Sequence, residues 1–463
     1  MPSVVIVGGG LSGLSLAYRL QQAAPRVEIT LLEKDDRPGG KIHTDTHDGF
    51  RVEWGPNGFL DTKPTTATLC RDLGLGDRLL PASEAAGKNR YLFLRGQLAR
   101  LPDGIGSFLR TPVLSWRGKW GLLTERFRRP RRDGADESID AFARRRAGDE
   151  VADVLADAFV TGIHAGDPKL LSLRSTFPRL AELEEQYGSV MKGFAAAARQ
   201  RRAEAKARGE VYQRPGKMWS FREGLQALID GLRASLRRPP NLGAAARHIE
   251  GGEGRPNWTV RGEGQDQWQA DAVVLACPAY EQAAILADLD ADLAEQVNGI
   301  PYNRVAVVAI GYRQEDVPIP LDGFGFLVPQ RDQRDLLGVQ WCSSIFPERA
   351  PPGTVLLRAM CGGWSRAEMV GWDDGRLLAT VRAELRAAMG VTAEPVFHRI
   401  VRWERAIPQY HLGHQERLAR IEERARRYPG LFLAGNAYRG VAMNDCTEQA
   451  VALAADVRRL VGG

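Results

Sequence analysis

The spacing of apolar residues changes several times along the chain, and each change marks an element. Ser3–Val7 is a short, β-branched, almost wholly apolar run that ends in Gly8, Gly9 and Gly10, which predicts a strand buried on both faces. Leu14, Ala17, Tyr18 and Ala24 then recur at helical spacing, and residues 29–32 form a second short apolar run. Together they predict one strand–helix–strand unit. Two similar runs come far downstream: Ala272–Leu275, closed by Cys277-Pro278, and Leu431–Leu433, closed by Gly435. If both join the N-terminal sheet, the domain built on it is discontinuous.

The intervening sequence has two characters. Residues 105–219 are rich in Arg, Ala, Leu and Glu with few strand signals and predict a mainly helical insert. Residues 283–395 mix strand-like stretches (305–310 and 355–360) with a helical stretch at 377–389.

Composition narrows the class. The chain has 463 residues, 44% hydrophobic and 26% charged, which fits a globular protein and excludes disorder or collagen-like repeats. No apolar run approaches the ~20 residues that span a bilayer. The start lacks the basic region of a secretory leader, so a cytoplasmic protein is expected. Five scattered cysteines without a CxxC pair suit a reducing compartment. His411 and His414 lie close together but have no second ligand cluster, so no metal is expected. The net charge of +6 comes with basic clumps: Arg126, Arg128, Arg129, Arg131 and Arg132; Arg144, Arg145 and Arg146; Arg199, Arg201 and Arg202. These form either a solvated face or a surface for anionic lipid or an acidic substrate. No nucleic-acid partner is expected.

The first candidate chemistry lies at the N-terminus. Gly8, Gly10 and Gly13 have the GxGxxG spacing between a strand and a helix. The first permits the tight turn, the second lets the backbone approach a pyrophosphate, and the third lets helix and strand pack closely. The phosphates then meet free N–H groups at the helix start, near Leu11 and Ser12. Glu33 closes the second strand about 20 residues on, where an acid binds a ribose hydroxyl. Arg37-Pro38-Gly39-Gly40-Lys41 follows and allows a second close backbone approach to a long cofactor; its resemblance to the second motif of the amine-oxidase-like flavoenzymes implies FAD rather than NAD. Near the other end, Gly435-Asn436 and Gly440-Val441-Ala442-Met443 precede a helix whose N-terminus suits negative charge on a reduced flavin.

The second glycine motif resembles that of the amine-oxidase-like flavoenzymes, and the chain as a whole resembles the protoporphyrinogen oxidase family. The resemblance runs through Gly55-Pro56-Asn57-Gly58-Phe59, Asn89-Arg90-Tyr91 before Leu101-Pro102, and Thr161-Gly162-Ile163-His164-Ala165-Gly166-Asp167. It continues through 172–178, 219–225, Gly323 to Pro329, Phe346-Pro347, Trp403, Ile407 to Tyr410 and Asp445-Cys446. It implies three parts: a discontinuous Rossmann-like FAD-binding domain (1–85, 220–282, 396–463), a mixed-sheet substrate domain (86–104, 283–395) and the helical insert (105–219). This is an α/β plus α+β chain. FAD contacts would come from Gly8, Gly9, Gly10, Leu11, Ser12, Gly13, Glu33, Lys34, Gly40, Lys41, Gly55, Pro56, Asn57, Gly58, Ala246, Trp403, Gly435, Val441, Ala442 and Met443.

On the same resemblance, Arg90 would pair with a substrate propionate, while Gly162, Leu327 and Met360 would line a tetrapyrrole pocket. The Gly162 carbonyl would take the nearest thing to a catalytic role. Gln340 stands where the family usually has an apolar residue, His164 where it has Tyr or Phe, and Gly58 where plant members have Ser. Val307 occupies the strand position at which amine oxidases carry a lysine. His164 and Cys446 read as packed residues without a catalytic role.

The activity implied is six-electron oxidation of protoporphyrinogen IX by oxygen, with noncovalent FAD, since 403–413 contains no cysteine to link it. A coproporphyrinogen III oxidase, whose pocket should carry more cations, is the nearest alternative. A flavin-free carrier resembling Rab GDP-dissociation inhibitor is the alternative of another class. A homodimer is a further expectation. So is peripheral attachment to an anionic membrane, on the inner face of the cytoplasmic membrane, through Trp116, Trp120 and the arginines beside them. Most of the other apolar residues there (Ile105, Phe108, Leu109, Val113, Leu114, Leu122, Leu123) are expected to pack inside the insert.

Overall fold

A computed structural model describes residues 1–207, 209, 216–251 and 257–462. Its first sheet has five parallel strands in the order Asn241–Leu242, Glu28–Glu33, Ser3–Val7, Ala272–Leu275, Leu431–Leu433. Both distant apolar runs are therefore in the sheet that the N-terminus begins. Alternation along a strand sends successive side chains to opposite faces. Val4 and Ile6 pack with the helices Leu11–Ala23, Gln226–Ser235 and Met443–Val461. Val5 and Val7 pack on the other side, under the antiparallel meander His248–Gly251, Trp258–Arg261, Gln267–Ala270 and the helices Ala279–Leu286 and Ala291–Asn298. Burial on both faces explains why these strands read as continuous apolar runs.

A mixed sheet of seven strands stands beside it, in the order Phe397–Trp403, Arg304–Arg313, Thr354–Gly363, Gly338–Trp341, Gly325–Leu327, Tyr91–Leu94, Gln97–Arg100. The boundary expected at 396 assigned the first of these to the nucleotide side. The strand instead runs antiparallel to Arg304–Arg313, because Phe397 and Val401 are buried in clusters of the mixed sheet. Two register rows decide what this sheet presents. Leu92, Leu327, Gly338, Met360, Val307 and Val401 lie in line across six strands. Gly325, Gln340, Arg358, Ala309 and Arg399 form the next row on the same face.

The insert is helical from Ile105–Arg110 to Val190–Ala207. Val113, Leu114, Val151, Val154 and Ala158 pack on Leu92, Leu94 and Ala99 of the mixed sheet. A π-helical turn, Ala152–Ala156, leads into the helix Asp157–His164, and Ala165 ends it in the left-handed conformation. One basic clump is not a free surface. Arg146 is buried on Glu125, Arg145 binds Glu137 and Glu184, and Arg144 binds Asp140, Asp149 and Asp153. Among the described residues, no helix is long and apolar enough to cross a membrane.

Candidate flavin and substrate site

The site grows from the carboxyl edge of the parallel sheet, where open α/β folds place their ligands. Gly8 has a φ of +110°. A Cβ on Gly13 would stand 2.0 Å from the Gly8 carbonyl oxygen, so only glycine lets the helix start this close to the strand. Gly10 faces open space. It begins the helix Leu11–Ala23 without a side-chain cap, which leaves the first N–H groups available to an anion.

Glu33 is buried, and its carboxylate accepts from the N–H groups of Gly9 at 2.7 Å and Asp35 at 3.0 Å. Burial raises its pKa against those bonds. The second glycine motif folds back on the first. The Gly39 N–H donates to the Gly9 carbonyl at 2.8 Å, and Gly39 and Gly40 both have positive φ. The chain after Asn241–Leu242 continues the edge, since the Gly243 and Ala244 N–H groups donate to the carbonyls of Asp35 and Glu33. Ala246, partly buried, follows two residues on. Lys34 turns away to Glu281 at 2.7 Å.

The helix Met443–Val461 packs along Leu11–Ala23, with Cys446 hydrogen-bonded to Ser12, so two helix N-termini converge. Cys446 is buried, and burial pushes its thiol up to about 11. Gly435 and Gly440 have positive φ. The Ala442 N–H is taken by Asp445 at 3.1 Å. Gly58 lies against Met218 and Trp219, where a Cβ would meet the Trp219 carbonyl at 2.6 Å. Strand packing therefore accounts for glycine at this position.

Three features of this cradle fit FAD. Lys41 is half-buried with no carboxylate partner among the described residues, its ammonium 5.4 Å from the Trp403 ring, and burial lowers its pKa to about 8. The Asn57 side-chain N–H₂ is buried without an acceptor among the described residues. The helix N-terminus behind Gly10 lacks a cap. Each is a polar group lacking the partner that a phosphate or flavin ring would supply.

The residues expected to line the pocket are contiguous. A Cβ at Gly162 would reach Leu327 at 2.8 Å, a Cβ at Gly338 would reach Leu327 at 2.9 Å, and Gly338 pairs with Met360. Val307, at the amine-oxidase lysine position, is next in the row and buried. Where Asp157–His164 ends, the Ala165 N–H takes the Thr161 carbonyl, and Asn303 and Gln409 take the His164 carbonyl. The Gly162 carbonyl between them has no donor among the described residues. Arg90 precedes the strand Tyr91–Leu94, 5.3 Å from the Phe324 ring. Its side chain reaches solvent, yet the protein around it desolvates it and lowers its pKa. No carboxylate pairs with it among the described residues.

His164 is buried and edge-on to Phe177, with its pKa lowered to about 4 by burial, so it is neutral at pH 7. His411 and His414 are also taken, by Trp364 and by the Tyr438 carbonyl. Gln340 binds Arg358. Sequence reasoning missed Arg358 and Arg349, two buried arginines without a recognisable motif; the signals available were a lone arginine in the strand Thr354–Gly363 and another just after Phe346-Pro347.

A model of the flavin-containing amine oxidoreductases matches residues 11–458. Coproporphyrinogen III oxidase of Bacillus subtilis is 29% identical over 98% of this chain and 97% of its own length. Human protoporphyrinogen oxidase is 33% identical over 96% of each chain. A solved structure from Exiguobacterium sp. 255-15, provisionally assigned as a protoporphyrinogen oxidase, superposes with a TM-score of 0.84 at 27% identity and covers 99% of both chains. The chain belongs to the flavin-containing amine oxidoreductase family, and its cofactor is FAD.

Proposed function

We propose that the protein oxidises protoporphyrinogen IX to protoporphyrin IX, with FAD held noncovalently and oxygen as acceptor. The observation that carries this reading is an Arg90 guanidinium without a carboxylate partner among the described residues, on the residue before the strand Tyr91–Leu94, whose Leu92 begins the apolar row through Leu327, Met360 and Val307. The substrate is a flexible apolar macrocycle with anionic propionates, and one cation beside an apolar wall is the complement it needs. FAD, when bound, supplies the hydride acceptor. Three rounds, each removing a hydride equivalent and a proton, take six electrons from the macrocycle. With oxygen as the acceptor, each round would yield one hydrogen peroxide.

The chain's own part is placement. Arg90 takes a propionate. Leu327, Met360 and Val307 exclude water, and the Gly162 carbonyl oxygen offers an acceptor to a pyrrole N–H. His164 contributes packing, because a neutral buried ring at that pKa has little capacity to hold a proton at pH 7.

Coproporphyrinogen III is a second reading, favoured by likeness to the Bacillus subtilis enzyme over 98% of this chain. Anaerobic addition of each porphyrinogen separates the two. Faster flavin bleaching with protoporphyrinogen IX is expected, and faster bleaching with coproporphyrinogen III would reverse the assignment. Acid precipitation should release all the flavin; a yellow pellet would contradict noncovalent binding. We further propose that the insert rests on an anionic membrane surface. Trp116, Trp120, Leu123 and Phe127, 71%, 69%, 50% and 71% exposed, recur at helical spacing beside the exposed Arg117, Arg126 and Arg129.

A further inference from the structure

Three charged side chains are buried together where residues 54–58 meet the mixed sheet. Glu53 and Arg349 pair at 3.1 Å with side chains about 1% exposed. The same carboxylate accepts from the Leu225 N–H and the Thr44 hydroxyl, both at 2.9 Å. Arg358 is 4% exposed. One terminal nitrogen donates to the Gln340 side-chain oxygen at 3.0 Å and the other donates to the Gly55 carbonyl. Among the described residues its Nε has no hydrogen-bond partner, and neither do Nε and one terminal nitrogen of Arg349. Two guanidinium groups thus face one carboxylate, and the cluster carries excess positive charge out of water.

The contact with Gly55 is one of two. Trp403 Nε1 donates to the Trp54 carbonyl at 2.9 Å, so two successive carbonyls of this loop are gripped by the mixed sheet. From the other side, a Cβ on Gly55 would strike the Lys41 carbonyl at 2.2 Å. The Gly55 peptide is therefore wedged between Lys41 and Arg358. Gln340 explains itself in this setting. An apolar side chain there would accept nothing, and Arg358 would be free to swing off Gly55.

We infer that Arg358 is a positioning residue for the flavin: it fixes the Gly55 peptide, Gln340 fixes its guanidinium, and its buried charge favours the reduced cofactor. The inference rests on the reading that places Gly55, Lys41 and Trp403 at the flavin. A buried cation favours whichever neighbouring redox state is more negative, and a rigid loop keeps that charge at a constant place.

The test uses purified holoenzyme of three variants and reads FAD dissociation and the flavin midpoint potential. Arg358→Gln removes charge and fork, and should raise the FAD dissociation constant about tenfold or more and lower the potential. Arg358→Lys keeps the charge, so it should weaken FAD binding while restoring the potential towards wild type. Gln340→Leu should weaken FAD binding several-fold and leave the potential in place. If Arg358→Gln does not fold, Arg358→Lys and Gln340→Leu decide alone. Wild-type FAD affinity in both would overturn the inference. An unchanged potential in folded Arg358→Gln would overturn its electrostatic half. Glu33→Ala is the control for the underlying reading. If it releases FAD and the Arg358 series does not, only the inference falls. If none of the variants affects FAD, the reading of the site falls with it.

Discussion

The nucleotide region and the substrate region obtain their geometry in different ways. In the first, strand, glycine turn, helix and acid follow one another within the first 33 residues, and contacts such as Gly13 on the Gly8 carbonyl span a handful of positions. In the second, Arg90, Gly162, Leu327 and Met360 come from four distant segments, and a sheet with crossovers brings them together. A local site is specified by backbone conformation and fails when one atom is added. A site assembled by topology is specified by packing, and single substitutions should change its affinity without dismantling it.

The largest expected effect breaks the local site. Gly13→Val places a branched Cβ about 2.0 Å from the Gly8 oxygen, a contact relieved only by moving the helix off the strand, at an overpacking cost of roughly 1–3 kcal/mol or more. Purified protein should lack flavin absorbance. Full FAD content in this variant would mean that the glycine motif is not the phosphate cradle.

This contrast also explains what was legible beforehand. The four apolar runs of the parallel sheet could be read because burial on both faces removes polar residues from them. Glu33 and the glycines could be read because their roles depend on spacing within one unit. Phe397–Trp403 was misplaced because its alternating pattern suits any half-buried strand, and only its partner Arg304–Arg313 decides its sheet. Arg358 and Arg349 were invisible for the same reason: a buried charge is recognised by what surrounds it, and Gln340, Gly55 and Glu53 are remote in sequence. The residues of the proposed tetrapyrrole pocket are named through family resemblance alone; register puts Leu327, Gly338, Met360 and Val307 in line.

Arg90→Ala sharpens the assembled side of the comparison. Losing a charge-assisted contact worth about 1.5–3 kcal/mol should raise KM roughly tenfold to a hundredfold, with FAD content unchanged because Arg90 touches none of the cradle. Steady-state kinetics with protoporphyrinogen IX decides this, and an unchanged KM removes Arg90 from the pocket.

Lys41 gives a smaller effect with a distinctive sign. Burial lowers its pKa to about 8 in the free protein. An anionic ligand favours the charged form, so binding takes up a proton. FAD affinity should be nearly full at about pH 7, halve by about pH 8 and fall about tenfold by about pH 9, following the charged fraction. Stability of the flavin-free protein should move the other way. The unfolded chain, whose lysine titrates near 10.4, holds more protons between pH 8 and 10, so this group's contribution to stability rises through that window. Lys41→Met should flatten both profiles. An FAD dissociation constant independent of pH in the unaltered protein would show that Lys41 does not meet the cofactor.

The smallest effect at the active site should come from the insert, which is neither local cradle nor assembled pocket. Val113 and Leu114 are buried in its core, while Trp116, Trp120, Leu123 and Phe127 remain outside on one helical stripe, with Met191 beside Glu125 at its end. A stripe of aromatic and aliphatic side chains edged by arginines gains by entering an anionic interface, and the charge contribution is screened by salt. Trp116→Ala with Trp120→Ala should lower flotation with phosphatidylserine-containing vesicles several-fold and leave detergent-assayed turnover unchanged, because neither ring contacts the FAD cradle or the row from Leu327 to Val307. Raising salt should release the unaltered protein from those vesicles. Recovery of the unaltered protein in the lipid-free fraction at low salt would remove the membrane from the proposal. The exposed stripe would then need a protein partner, and the porphyrinogen would have to be delivered through solution.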